Sequence, residues 1–410
     1  AAAGRWAGAE ASCFGVPLVA AFGFVGELFL NALKMLIVPL IASSMIVGVA
    51  GLGSGSLGRL GGKTLGLYAL TSLCAIALGL GLINLVEPGL VGGQPARDLL
   101  ALGARPDEVT RAVGGRGAAD IVGVFLRMLP PNVVAAASDN AEMLGLIVFS
   151  LLFGAFIPRL EARHSAALMD FWQAVFQVMM RMTGLVMSFA PIGVFALVAR
   201  VVAKAGFAAA QPLAVFALLV LAGLAVHMFL VLPLTIRLFT GLRPWAIFPA
   251  LGPALLTAFS TASSTATLPV NMECVERRAG VSNRVCSFVL PLGATINMNG
   301  TALYECSAVL FLAQAYGLRL GLATQFLVVL LALLTSVGVA GIPAASLVAI
   351  AVILQAVGLP AEAVGVLLVF DRVLDMARTS VNIFGDACCA VIVAHSEGEK
   401  VLRAAGPVSG

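Results

Sequence analysis

The chain has 410 residues, of which 60% are hydrophobic and only 11% are charged, and its mean hydropathy is +1.06. A soluble domain of this size carries about twice that charge fraction, and several apolar runs exceed the roughly 20 residues that span a bilayer, so the class is an all-α polytopic membrane protein. The net charge of +4 is small and spread over many connections, which gives nucleic-acid binding no electrostatic basis.

In chain order, the first span is expected at about 27–51, with Pro39 as a kink. A second span lies at about 62–86. Residues 88–118 are rich in Gly, Pro and mixed charge and read as an exposed, mobile loop. Further spans follow at about 141–158, 168–202 with Pro191 inside it, and 211–239. From residue 245 the pattern changes. Two half-length pieces over 245–291 surround a small-residue tip at 260–267, and a second such pair over 322–358 surrounds a tip at 336–344. Neither half can cross a bilayer alone, so both pairs read as re-entrant hairpins. Between them a span at about 285–315 is broken at 293–300, and the last span covers about 362–393. Broken elements in corresponding positions of two repeats point to a midplane site. The seven cysteines lack metal-ligand spacing and read as small buried hydrophobes.

The last span carries Asp371, Asp375, Arg378, Asn382 and Asp386. At roughly 100° per residue they share a stripe about 80° wide on one helix face. Charge at membrane depth is expensive and persists where it lines a substrate or ion path. A stripe of both signs suits cargo with a cationic and an anionic end. Gly293, Thr295, Asn297 and Asn299 lie where the broken span unwinds, where carbonyl oxygens suit a hard cation such as Na⁺. Basic residues in alternate connections (Arg59 and Lys63; Arg159 and Arg163; Arg237 and Arg243; Arg277, Arg278 and Arg284; Lys400 and Arg403) make one cytoplasmic side, with the C-terminus on it.

TASSTATLPV (261–270), LPLGATINMNGTALYE (290–305), SVGVAGIPA (336–344) and DRVLDMARTSVNIFGD (371–386) together resemble the glutamate transporter family, the dicarboxylate/amino acid:cation symporters. GELFLNALKMLIVPLIASS (26–44) and APIGVFAL (190–197) match as well. The resemblance covers about 26–395 and implies a plasma-membrane, elevator-type homotrimer in the lipid bilayer, a transporter and not an enzyme, with no organic cofactor. By this likeness residues 1–25 are a truncated first scaffold helix, 26–61 a scaffold helix, 62–87 a transport-domain helix and 88–118 an extracellular loop. Residues 119–205 are scaffold helices, 206–395 the rest of the transport domain, and 396–410 a cytoplasmic tail.

The implied cargo is aspartate or glutamate moved with Na⁺. By motif position, Arg378 pairs with the substrate's side-chain carboxylate and Asp375 with its amino group. Thr301, Thr379 and Asn382 add hydrogen bonds, Ser264, Gly341, Ile342 and Ser346 close on the α-carboxylate, and Asp371 orients its neighbours. One Na⁺ site uses Gly293, Asn297, Asn382 and Asp386. Another uses Thr295, Met298, Ser336, Val337 and Val339, and a third uses Tyr68, Thr71, Ser72 and Asn297. The family motif places an aspartate where this chain has Asn299, so the third site is expected to be impaired or differently coupled. Glu305 stands where animal carriers have a proton-carrying glutamate, so H⁺ coupling is expected, beside a purely structural hydrogen-bond role. Ala262 and Met376 occupy the two places where the family carries a second arginine, which leaves K⁺ counter-transport open. The alternatives are a neutral amino acid exchanger, which Arg378 opposes; a C4-dicarboxylate carrier, which Asp375 opposes; and a ligand-gated anion channel.

Overall fold

In the computed structural model, residues 12–13, 16–51, 59–100, 102, 126, 129–138, 143–189, 191–193, 195–196, 199, 210–338 and 345–402 are described. The expectations for residues 1–11, for most of the loop from 101 to 118, for the second hairpin tip at 339–344 and for the tail at 403–410 lie outside them.

Helix α1 (Leu18–Ala50) starts well before the expected residue 27, because residues 18–25 hold neither charge nor proline. Pro39 lies inside it and withholds one donor from the helical ladder. Helix α2 covers Arg59–Val86. The next segment departs from the expected mobile loop. A two-residue ladder pairs Leu90 with Pro95 and Val91 with Gln94, turned by Gly92 and Gly93 at φ 59° and 78°, a geometry that favours glycine. Ala96 and Leu100 that follow are fully buried. Composition hid this, because two apolar anchors are enough to fix a polar strap.

After the short helix α3 (Val133–Ser138), helices α4 (Met143–Phe156) and α5 (Ala162–Ser188) pack on α1. Ile46, Ala50 and Ile157 meet Phe153, Met169 and Trp172, and Leu36 and Leu40 meet Met179. Helix α5 begins at Ala162, ahead of the expected 168, because its first turn is polar and escapes a hydropathy window.

Helices α6 (Ala210–Val226) and α7 (Leu232–Thr240) run on through a π-helical turn at His227–Val231. Two short pairs follow, α8 (Ile247–Thr261) with α9 (Ser264–Glu273), and α12 (Leu322–Gly338) with α13 (Ala345–Ala356). At 1.5 Å per residue all four are about 15–26 Å long, less than the roughly 30 Å hydrocarbon core. Between the pairs stand α10 (Asn283–Ile296) and α11 (Asn299–Ala315), and after them a 3₁₀ turn (Ala361–Val366) leads into α14 (Leu368–Ser396). The polar helix therefore starts at 368, not 362. By length and apolarity Arg59–Val86, Ala210–Thr240 and Leu368–Ser396 are able to cross a membrane.

Two apolar clusters meet along α14. One gathers α2, α6, α11, α12 and α13 around Leu374 and Val381, and the other gathers α7, α8 and α10 around residues 383–394. Helix α11 is buried on every side except at Gln314. It lies against α2 so closely that a Cβ on Gly79 would come within 2.8 Å of Ser307 Oγ and 3.0 Å of the Leu303 carbonyl. The α10–α11 break and the polar stripe of α14 share the boundary between the two clusters.

Candidate functional site

An unbroken helical pitch delivers Asp371, Asp375, Arg378, Asn382 and Asp386 to one side of α14, and all five are buried. Arg378 is only 1% exposed. Its Nη2 donates to Asp375 Oδ1 at 2.9 Å and to Asp371 Oδ1 at 3.1 Å, and its Nη1 donates to Ser346 Oγ at 2.8 Å. The Tyr304 ring lies under the guanidinium, with its centroid 3.9 Å from Cζ, and the Tyr304 hydroxyl donates to Asp371 Oδ1 at 3.3 Å. A guanidinium in low dielectric costs several kcal/mol unless paired. Here two carboxylates, a hydroxyl and a ring face supply the pairing, and the trio of charges is net negative.

The break between α10 and α11 is narrower than the 293–300 expected from sequence. Only Asn297 (φ −95°, ψ 70°) and Met298 (φ −102°, ψ 64°) leave helical geometry. The Asn297 amide still donates to the Gly293 carbonyl at 2.9 Å, and Ala302 to Met298 at 2.9 Å, so each half-helix closes its own terminal turn. The free amide of Gly300 at the start of α11 donates to Asn382 Oδ1 at 2.8 Å, and Asn382 Nδ2 donates to Thr301 Oγ1 at 3.2 Å. Asn382 thus caps α11 from another helix, satisfying a donor that a helix start leaves open.

Asp386 Oδ1 accepts from Asn297 Nδ2 at 2.9 Å. A Cβ on Gly293 would collide with this carboxylate and lie 2.9 Å from the Tyr68 hydroxyl, so only glycine admits both. Thr71 Oγ1 lies 3.3 Å from Asn297 Oδ1 and 3.4 Å from Asn299 Oδ1, and Ser72 Oγ donates to Asn299 Oδ1 at 2.8 Å. Thr71, Ser72, Asn297 and Asn299 therefore converge. Tyr68, grouped with them from sequence, keeps its carbonyl in the set, where it accepts from Thr71 Oγ1 at 3.2 Å, while its hydroxyl donates to the Val289 carbonyl at 2.6 Å. Asn299 Nδ2 and Asp386 Oδ2 are buried and have no hydrogen-bond partner among the described residues. Amide, hydroxyl and carboxylate oxygens of this kind suit hard cations.

One turn further along α11, Glu305 is completely buried and its Oε2 accepts from Thr335 Oγ1 of α12 at 2.8 Å. Ser264 is buried in the first turn of α9, which packs on α14. Thr301, Met298 and Thr379 are buried. Thr295 turns its hydroxyl to the Leu292 carbonyl and faces Gly48 of α1. Ser336 bonds within its own helix to Leu333, inside α12 rather than in a loop. Val339, Gly341 and Ile342, and the side chain of Val337, lie outside the described residues. Sequence reasoning passed over Tyr304 and Thr335. Both adjoin residues it did single out, Glu305 and Ser336, and a polar or aromatic neighbour of such a residue was the available signal.

The chain was compared with known proteins. The model of the sodium:dicarboxylate symporter family matches residues 2–396. The proton/glutamate-aspartate symporter of Escherichia coli K12 is 36% identical over 373 residues, covering 91% of this chain and 84% of that protein. Mouse excitatory amino acid transporter 3 is 35% identical over 407 residues, covering 89% and 77%. The proton/sodium-glutamate symport protein of Bacillus caldotenax is 34% identical over 388 residues, covering 94% and 90%. A match of this extent, over helices that bury a mixed-charge stripe beside a broken span, places the chain in the sodium:dicarboxylate symporter family.

Proposed function

We propose that this family member is a secondary active symporter of acidic amino acids, aspartate or glutamate, driven by Na⁺ and H⁺. The observation that carries the reading is the buried Arg378, a planar fork for carboxylate, with Asp375 at 2.9 Å as a counter-ion for an amino group. The substrate carboxylate replaces the aspartates on the guanidinium, and the released Asp375 turns to the substrate ammonium. Thr301, Asn382 and Thr379 supply further hydrogen bonds, and Ser264, Gly341, Ile342 and Ser346 close over the α-carboxylate. The names of the relatives, which include glutamate-aspartate and proton/sodium-glutamate symporters, support this cargo.

In this reading the Asp386, Asn297, Gly293 and Asn382 oxygens take one Na⁺, and Thr295 and Met298 with the backbone of Ser336, Val337 and Val339 take another. Tyr68, Thr71, Ser72 and Asn297, with Asn299 beside them, form a third set, without an anionic member, so its Na⁺ is held weakly. Glu305 carries the proton. Helices α1, α4 and α5 act as the scaffold of a homotrimer, and α2 with everything from α6 onward moves across the membrane as the cargo-bearing body. The short pairs α8–α9 and α12–α13 are its re-entrant gates, and the end of the molecule that holds Glu397 faces the cytoplasm.

Uptake by proteoliposomes of labelled aspartate, glutamate, serine and succinate, with and without a Na⁺ gradient, tests the assignment. Acidic amino acids enter and serine and succinate do not. Arg378→Cys lowers aspartate uptake about 100-fold, the loss of roughly 3 kcal/mol of charge-assisted bonding, and shifts preference toward neutral amino acids. Unchanged aspartate uptake in that variant sinks the assignment.

A further inference from the structure

Thr335 Oγ1 is placed between two close acceptors, with the Ala332 carbonyl a third at 3.4 Å. It lies 2.8 Å from Glu305 Oε2 across the α11–α12 contact, and 2.7 Å from the Leu331 carbonyl one turn back in its own helix. A threonine hydroxyl has a single hydrogen. It makes a full bond to Glu305 or to Leu331, and a hydrogen shared between them weakens both. An ionised Glu305 only accepts, so it claims that hydrogen and α12 is tied to α11 by a charge-assisted bond. A Glu305 protonated on Oε2 donates that O–H to Thr335 Oγ1, and the threonine hydrogen returns to Leu331. The bond between the helices then reverses and becomes neutral, about half as strong.

We propose that Thr335 is a positioning residue for proton coupling, relaying the protonation state of Glu305 from α11 to the last turn of α12. This rests on the reading of Glu305 as the proton carrier. The placement favours such a relay. Glu305 and Thr335 are 0% and 1% exposed, so water does not compete for the bond. Among the described residues Thr335 is the hydrogen-bond partner of Glu305, and Oε1 has none. Thr335 stands three residues before the end of α12 at Gly338.

The other groups around Glu305 leave the exchange to this pair. Arg378 of α14, itself paired with Asp371 and Asp375, is the charged group whose field reaches Glu305, and Cys306 adjoins it in sequence. Helix α2 carries Tyr68 and Cys74, with Arg59 and Lys63 at its far end on Glu397. Helices α6, α12 and α13, which also pack on α11, carry no titratable residue.

The whole chain in proteoliposomes, with a trapped pH dye and labelled aspartate, tests the relay. Wild type moves protons with aspartate and Glu305→Gln does not. Thr335→Val binds aspartate in Na⁺ with an affinity within about threefold of wild type. It transports three- to about tenfold more slowly, the loss of one buried hydrogen bond, and its pH profile is displaced. In infrared difference spectra, the carboxyl band that vanishes in Glu305→Gln shifts in Thr335→Val. Thr335→Ser, which keeps the hydroxyl, restores profile and band. Where Thr335→Val does not fold, Thr335→Ala carries the same comparison. A Thr335→Val protein with the wild-type pH profile and carboxyl band overturns the relay, and so does equal impairment of Val and Ser variants. If wild type moves no protons, or Glu305→Gln still does, the proton reading of Glu305 fails and the relay with it. If Glu305→Gln stops proton movement while Thr335→Val behaves as wild type, only the relay fails.

Discussion

Asn299 shows how much one atom changes in a buried polar set. Its Oδ1 accepts from Ser72 at 2.8 Å, while its Nδ2 is buried without an acceptor among the described residues. An unsatisfied buried donor costs about 1–3 kcal/mol. Asn299→Asp exchanges that donor for a second acceptor and gives the Thr71–Ser72–Asn297 set an anionic oxygen. In a Na⁺ titration of aspartate binding, the variant reaches half-saturation at Na⁺ about tenfold lower, from the roughly 1.5 kcal/mol by which a charged partner strengthens such a contact. An unchanged titration means that these oxygens do not hold Na⁺. The stripe on α14 was legible in sequence because helix pitch fixes which of its own residues share a face. Tyr304 and Thr335 were not, because their partners Asp371 and Glu305 lie 67 and 30 residues away, and no local period connects them.

At the scale of elements, the short helices depend on their turns. The α8–α9 turn consists of Ala262 and Ser263 alone, with Ser264 already inside α9. Ser263 caps α9, accepting from the Ala266 amide at 3.2 Å. Ala262 sits in the left-handed region at φ 51° and ψ 38°, a conformation that costs a non-glycine residue about 1 kcal/mol. Ala262→Gly therefore raises stability by about 0.5–1 kcal/mol, read as a higher unfolding midpoint in detergent. A lower midpoint means that the buried methyl contributes more than the strain costs. The helical elements were largely legible from apolar runs and punctuation, but their ends were not. The α10–α11 break shrank from eight expected positions to Asn297 and Met298. Glycines and polar residues mark where a helix is able to open, and packing against α2 and α14 decides where it does.

At the scale of the whole molecule, one end is tied by a charge cluster. Glu397 accepts from Lys63 at 2.6 Å and Arg59 at 3.2 Å, with Arg284 at 3.6 Å. Nearby, Glu399 accepts from Ser282 Oγ and its amide, and the Leu402 amide donates to the Ala279 carbonyl. The start of α2, the α9–α10 connection and the segment after α14 are thereby joined. The hydrogen bond from Lys63, aided by Arg59, holds the Glu397 carboxyl below its usual range. A carboxyl depressed in the folded state adds stability that is complete above its unfolded value of about 4.3 and is lost as pH falls through the lower folded value. Thermal unfolding followed down an acid pH series shows that loss in wild type, and less of it in Glu397→Gln. High salt narrows the difference between the two, since the cluster is partly exposed.

Composition and periodicity by themselves determined the membrane class, most of the helices and the mixed-charge face of α14. These are local properties, set by apolar content and by a pitch of 3.6 residues. Only the tertiary structure decided that Arg378 rests on Asp371, Asp375 and Tyr304, that Asn382 caps α11, that the Tyr68 hydroxyl turns to Val289, and that Ala96 and Leu100 are buried. In a water-excluded interior every buried polar group needs a partner, and which partner lies within reach is set by helices distant in the chain.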